Sequence, residues 1–134
     1  MPEALSNFQR KRSNNIFRIL VDFTNMIRVA IFEDNMLLRQ VLTDLVNNTI
    51  NFKCTGSYPD ANNVLRKIHQ SNPDVILMDI EMPGTDGYQV ASYIKSNKKF
   101  EHIPVIINSS MTTDAVRGKT NKIGVEGFVG KTDI

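Results

Sequence analysis

Apolar and polar positions alternate along this chain in blocks of two kinds. Short segments of strand character occur at Ile27 to Phe32, Phe52 to Tyr58, Val75 to Met78, Val105 to Ile107 and Gly127 to Val129, of which Val75 to Met78 and Val105 to Ile107 are unbroken apolar runs. Between them lie longer segments with apolar residues at helical spacing. An unbroken apolar run is the mark of a strand buried on both faces, and a 3.6-residue period marks a helix with one buried face. The helical segments are Asn35 to Asn48, with Leu38, Val41, Leu42 and Leu45 in phase, and Ala61 to Ser71, with Val64, Leu65 and Ile68. A third begins behind Asp86, with Val90, Ala91 and Ile94, and a weaker one runs from Thr112 to Ile123 around Val116. Asp34 or Asn35 caps the first and Asp86 the third, because a side-chain oxygen there satisfies a free helical N–H. The second stops at Asn72-Pro73, since the residue before proline disfavours helix.

Five strands alternating with four helices predict an α/β fold: a five-stranded parallel sheet between two helical layers. Right-handed crossovers leave few windings, and the flavodoxin-like three-layer sandwich with strand order 2-1-3-4-5 is the expectation. Residues 1–25 are less legible. They begin polar, and Ile16 to Phe23 has the spacing of a short amphipathic helix interrupted by Arg18 and Asp22.

At 134 residues the chain is long enough for one domain with a single core. Its one cysteine, Cys54, permits no internal disulfide, which suits a reducing, cytoplasmic setting. No uncharged apolar stretch is long enough to cross a membrane, and no signal peptide is legible. Residues 1–25 hold four basic residues, including Arg10-Lys11-Arg12, against two acidic ones. The other 12 basic and 12 acidic residues cancel, so the body offers no basic field for nucleic acid. His69 and His102 stand apart in polar surroundings, with no zinc spacing. No glycine-rich loop of the nucleotide-binding kind is present.

Chemistry concentrates at the carboxyl ends of the strands. The first ends in Glu33-Asp34, the third in Asp79, the fourth in Ser109 and the fifth leads into Lys131. In a parallel sheet these ends share one edge, where open α/β sheets bind ligands. Three carboxylates drawn together repel unless a cation joins them, and Mg²⁺ suits a few carboxylates with several waters retained. A carboxylate beside such an ion can attack a phosphoryl donor, with Lys131 neutralising the transferring oxygens and Ser109 donating to one of them afterwards. Taken singly, each residue also has a plain structural use: Asp79 or Glu33-Asp34 as caps, Ser109 as a turn closure, Lys131 as a solvated side chain and Phe128 as core.

The stretch DVILMDIEMPGTDG, Asp74 to Gly87, resembles the phosphoacceptor segment of the receiver domain of bacterial two-component response regulators. The resemblance extends from about Ile27 to Lys131. It implies Asp79 as phosphoacceptor, Asp34 as a direct metal ligand, Glu33 as an acidic partner acting through water and the backbone carbonyl of Glu81 as a further contact to Mg²⁺. It also implies Ser109 as the switch hydroxyl, Lys131 as the family's lysine and Phe128 at the aromatic switch position. Glu81 and Met111 fall where family members tune hydrolysis. A sensor histidine kinase or phosphotransfer protein is the implied donor, and the output partner is left open. The resemblance implies a signalling module, not an enzyme, with at most self-dephosphorylation. It implies neither membrane association nor direct nucleic-acid binding, and a second copy is a candidate partner.

The sequence departs from that pattern in three places. Thr132 follows Lys131 where proline is usual, and Glu33 stands where aspartate is commoner. The chain also stops at Ile134, before the fifth helix of a typical receiver. The domain reading is therefore an N-terminal extension, residues 1–25, and a C-terminally truncated receiver, residues 26–134. The truncation is expected to leave apolar surface open beside the first helix, and a helix within residues 4–25 is one candidate to fill it. Two other functions fit less of the pattern. One is an interaction domain that is never phosphorylated. The other is an aspartate-nucleophile phosphatase, in which Glu81 would replace the second aspartate two residues after the nucleophile.

Overall fold

The computed structural model describes residue 16, residues 25–110 and residues 114–131. Strand β1 (Ile27–Phe32) leads into α1 (Met36–Asn47), then β2 (Phe52–Tyr58), α2 (Val64–Ser71) and β3 (Val75–Asp79). A two-stranded hairpin follows, β4 (Glu81–Met82) and β5 (Thr85–Asp86), and then α3 (Gly87–Ser96). Strand β6 (Val105–Ser109), α4 (Asp114–Ile123) and β7 (Gly127–Gly130) complete the order. The five main strands pair in parallel in the order β2-β1-β3-β6-β7, which is the expected 2-1-3-4-5 winding.

Local chemistry sets the boundaries. Asn35, not Asp34, caps α1: its Oδ1 accepts from the Leu38 amide at 3.0 Å. Helix α2 starts at Val64, three residues later than the periodicity predicts, because Asn63 turns into the left-handed region at φ 52°. It ends at Asn72, itself left-handed ahead of Pro73, with the Asn72 amide returning to the Ile68 carbonyl at 2.9 Å. The expected loop after Asp79 is an antiparallel hairpin that turns at Pro83-Gly84, where Gly84 takes φ 70° without steric cost. Asp86 caps α3 by accepting from the Tyr88 amide at 2.9 Å. Gly87 is required there, since a Cβ would lie 2.4 Å from the Ile80 Cα and 2.8 Å from the Asp79 carbonyl oxygen. That close approach seats α3 directly against the end of β3.

The main core lies on the sheet face covered by α2, α3 and α4, around Phe32, Ile68, Ile76, Met78, Ile94 and Ile107. Among the described residues, the opposite face is covered by α1 alone, which packs Leu42 onto Val29 and Ile31. The apolar stripe of α1 is only partly buried. Leu42 is 3% exposed, but Val41 and Leu45 are 54% and 55% exposed, so apolar surface does lie open beside this helix. Val75, Leu77, Ile106 and Val129, on the same sheet face, are only half-buried. The helix expected within residues 4–25 falls outside the described residues apart from Ile16, which is helical and exposed. Thr112 and Thr113, at the predicted start of α4, also lie outside them.

The two classes of α1 residue should separate in urea unfolding of the full chain. Leu42→Ala is expected to cost about 2–5 kcal/mol, as a buried leucine truncated in a packed core. Val41→Lys should stay within about 0.5 kcal/mol of the parent. A cost of several kcal/mol for Val41→Lys would mean that this face is covered in solution.

Candidate functional site

Parallel strands end on one edge, and the pocket is assembled there from four of them. Strand β1 delivers Glu33 and Asp34, β3 ends in Asp79, β6 ends in Ser109 and β7 leads into Lys131. β3 and β6 stay apolar until their last residues, and polar side chains appear in them where the edge opens.

Glu33 and Asp79 are completely buried, as is Ser109, while Asp34, Glu81 and Lys131 are half-buried around them. One carboxylate oxygen from each of Glu33, Asp34 and Asp79 lies within 4.8 Å of the other two. The Lys131 Nζ stands between three acids, 3.2 Å from Asp79 Oδ1, 3.3 Å from Glu33 Oε1 and 3.4 Å from Glu81 Oε2. Asp79 Oδ1 also accepts from the Glu81 amide at 2.8 Å. Arg39 fixes the backbone beneath the acids, donating to the carbonyls of Glu33 at 2.9 Å and Asp34 at 3.3 Å.

Burial acts unequally on the two buried acids. It is the largest influence on Glu33, and the neighbouring Asp79 and Asp34 add to it, so that Glu33 is pushed up to about 8 against the opposing pull of Lys131. Burial would raise Asp79 too, but contacts with Glu33, the Glu81 amide, Asp34 and Lys131 outweigh it and hold Asp79 below the ordinary aspartate value. Lys131 loses some basicity to burial and gains more from Asp79 and Glu33, ending raised. Without a further cation, the pair therefore favours a protonated Glu33 beside an ionised Asp79.

The residues fit a hard divalent cation. Their donors are all carboxylate oxygens; the buried Asp79 Oδ2 has no hydrogen-bond partner, and Glu33 Oε1 faces only the Lys131 ammonium at 3.3 Å.

Two features of the pocket are not legible as sequence motifs. The Glu81 side chain, expected to matter only through its backbone, is bound by Ser110, whose Oγ donates to its two oxygens at 2.6 and 2.7 Å. Ser109 Oγ lies 3.4 Å from the same carboxylate. Asn108, in register with Asp79, is buried with neither amide atom hydrogen-bonded. A polar residue inside an otherwise apolar strand was the available signal for Asn108. Nothing local pairs Glu81 with Ser110, 29 residues away. Phe128 is half-buried and packs against the main core. His69 and His102 are exposed, as read from sequence, and line a surface cavity with Arg28, Asn72 and Lys99. Met111 lies outside the described residues.

A doubly wound parallel sheet with an acid cluster and a lysine at its carboxyl edge defines a flavodoxin-like α/β domain. The chain belongs to the response regulator receiver domain family, whose model matches residues 29–133. Chemotaxis protein CheV2 of Helicobacter pylori is 33% identical over 110 residues, covering 79% of this chain and 34% of the relative. A protein-glutamate methylesterase/protein-glutamine glutaminase of Geobacter metallireducens is 32% identical over 113 residues, covering 83% of this chain and 30% of the relative. The chain thus spans about a third of the length of these curated relatives. Among solved structures, the response regulator domain of Thermotoga maritima CheB superposes with a TM-score of 0.70 at 31% identity, covering 79% of this chain and 78% of that one. The signal receiver domain of a DNA-binding response regulator from Colwellia psychrerythraea gives 0.73 at 25% identity, covering 79% and 86%. No helix among the described residues is long and apolar enough to cross a membrane.

The raised Glu33 has a signed consequence. A carboxyl that binds its proton more tightly folded than unfolded contributes stability below its unfolded value of about 4.5, lost as pH rises through about 8. In chelator-treated protein, urea stability should therefore fall between pH 5 and 8, on the order of a few kcal/mol. Glu33→Gln should flatten that slope, and Mg²⁺ should stabilise the parent more at pH 8 than at pH 6. An unchanged slope in Glu33→Gln would remove Glu33 as its source.

Proposed function

We propose that this chain is a phosphorelay switch that accepts a phosphoryl group on Asp79 and changes partner binding in response. The observation that carries this reading is the buried, ionised Asp79, with Lys131 Nζ at 3.2 Å and two further acids beside it. Such a carboxylate is desolvated, oriented and charge-compensated on one oxygen, which is what a nucleophile towards phosphorus needs.

The donor class is a phosphoramidate, as on the phosphohistidine of a sensor kinase or phosphotransfer protein. An Asp79 oxygen forms a P–O bond as the P–N bond breaks, and the imidazole departs with the bonding electron pair and takes up a proton from solvent. Glu33, Asp34 and Asp79, with the Glu81 carbonyl, are the residues that would hold Mg²⁺. That ion, when bound, supplies positive charge to the carboxylates and to the oxygens of the transferring group. Lys131 shares that task from the β7 side, and its contact with Asp79 keeps the acceptor ionised.

Ser109 ends β6 next to the pocket and is placed to donate to a phosphoryl oxygen, drawing the loop after β6 inward. Phe128, in register with Ile107 on the neighbouring strand, is the candidate to relay that shift to the outer face. Residues 26–134 carry this function on the present reading, with residues 1–25 as an extension. The chemotaxis relatives make a chemotaxis partner the first to test. The domain consumes only its own acyl phosphate and is not a turnover enzyme, and its setting is the cytoplasm.

Incubation with acetyl phosphate, followed by intact-mass spectrometry, tests the reading. A single phosphoryl adduct is expected with Mg²⁺ and lost on chelation, with Asp79→Asn unlabelled and Lys131→Ala slowed about a hundredfold. No adduct on a chain shown to be folded by circular dichroism would sink the reading in favour of an interaction module that is never phosphorylated.

A further inference from the structure

We infer that Asn108 is a positioning residue for the acceptor: its buried side-chain amide holds the unengaged oxygen of Asp79 through one ordered water, and thereby shortens the life of a phosphoryl group there. This rests on the phosphoacceptor reading and adds to it what sets the persistence of the signal.

The β6 run Val105-Ile106-Ile107 is apolar, and Asn108 breaks it one residue before the strand ends. Parallel register places Asn108 directly beside Asp79, as Ile106 lies beside Leu77 one pleat below. Leu77 packs on the α1 side of the sheet, so Asp79 and Asn108 share that side. On its other flank Asn108 is in register with Val129, and Lys131, two residues further on, crosses the end of β6 to reach Asp79 at 3.2 Å. Asn108 is left 1% exposed, with neither amide atom hydrogen-bonded. An unpaired buried amide is destabilising, and a valine in this place would avoid that cost.

Asp79 carries the matching unpaired atom. Its Oδ1 takes Lys131 and the Glu81 amide, whereas Oδ2, equally buried, has no partner. In-register neighbours on adjacent strands stand about 4.8 Å apart, a gap that one water spans with a hydrogen bond to each side. Asn108 Nδ2 donates to that water, and the water donates to Oδ2.

Oδ2 is also the oxygen free to form the P–O bond, so this donor acts on the departing phosphoryl group. In hydrolysis a second water attacks phosphorus, the P–O bond to Asp79 breaks with its electron pair left on Oδ2, and a proton passes to solvent. In a loose transition state that oxygen already carries most of its negative charge. A hydrogen bond to it is weak in the acyl phosphate, whose bridging oxygen is nearly neutral, and strong as the carboxylate re-forms. Asn108 therefore favours the free carboxylate over the phosphorylated one.

The full chain, Asn108→Val and Asn108→Thr are labelled with acetyl phosphate and Mg²⁺ after circular dichroism shows all three folded, then desalted into Mg²⁺ buffer and followed by intact mass. Asn108→Val should lose the adduct about fivefold more slowly and acquire it about twofold faster, together the worth of one hydrogen bond to a charged group. Asn108→Thr, with the shape of valine and a hydroxyl donor, should return most of the way to the parent. Equal rates in the two variants would overturn the proposal in favour of side-chain shape alone. An unchanged or shortened lifetime in Asn108→Val, or a slowing of labelling and loss alike, would overturn it as well.

A second readout needs neither metal nor phosphoryl group. In chelator-treated protein, urea unfolding of Asn108→Val, Asp79→Leu and the double variant should show coupling, the folded-to-unfolded ratio departing about threefold or more from the product of the single effects. Additive effects would overturn the contact even where the lifetime changes. No adduct on any folded chain, with the coupling present, instead removes the phosphoacceptor reading and leaves the contact between Asn108 and Asp79 supported.

Discussion

Two carboxylates removed from water at the end of a parallel sheet set the terms for this molecule. Glu33 and Asp79 have no solvent exposure, and their nearest cationic neighbour is the single ammonium of Lys131. One positive charge cannot balance three neighbouring acids in a poorly solvated pocket, and the imbalance, with burial, raises the pKa of Glu33. The fold imposes this arrangement and does not relieve it. β1 and β3 pair in register through Phe32 and Met78, so the residues after them cannot move apart without breaking the central ladder. The charge imbalance thus sits where a cation can offset it.

The surrounding structure is spent on keeping that edge rigid. Gly87 lets α3 begin in contact with Ile80 and the Asp79 carbonyl, and Asp86 caps the helix at the same point. Arg39 reaches back from α1 to the Glu33 and Asp34 carbonyls. At the far edge of the sheet Arg28 pairs with Asp74, and Glu126 joins Lys95 to the Val105 amide. These exposed pairs add little stability individually, but they fix where strands begin, and the ends carrying the chemistry follow from the starts.

The strands and their order were legible because burial on both faces forces continuous apolar runs, and Asp79, Glu33, Asp34 and Lys131 interrupt or follow those runs where no core residue would be polar. Boundaries were less legible where asparagine was free to enter the left-handed region, as at Asn63, which shortens α2. The periodicity of α1 identified its apolar stripe without saying how much of it a second element covers. Leu42 has the sheet beneath it, whereas Val41 and Leu45 do not. The Glu81–Ser110 contact was illegible for a different reason: it joins two loops through a tertiary approach that neither loop encodes alone.

That contact bears on how a chemical event at Asp79 could be felt elsewhere. A bound group shifts an equilibrium only by the difference between its interactions in the two states. Glu81 joins the hairpin after β3 to the end of β6, and the same hairpin carries the amide that orients Asp79. Ser109 Oγ and Ser110 Oγ both face the Glu81 carboxylate, so the end of β6 and the hairpin share one anion. Any change in the Glu81 contacts at the end of β6 is therefore felt by the hairpin that orients Asp79.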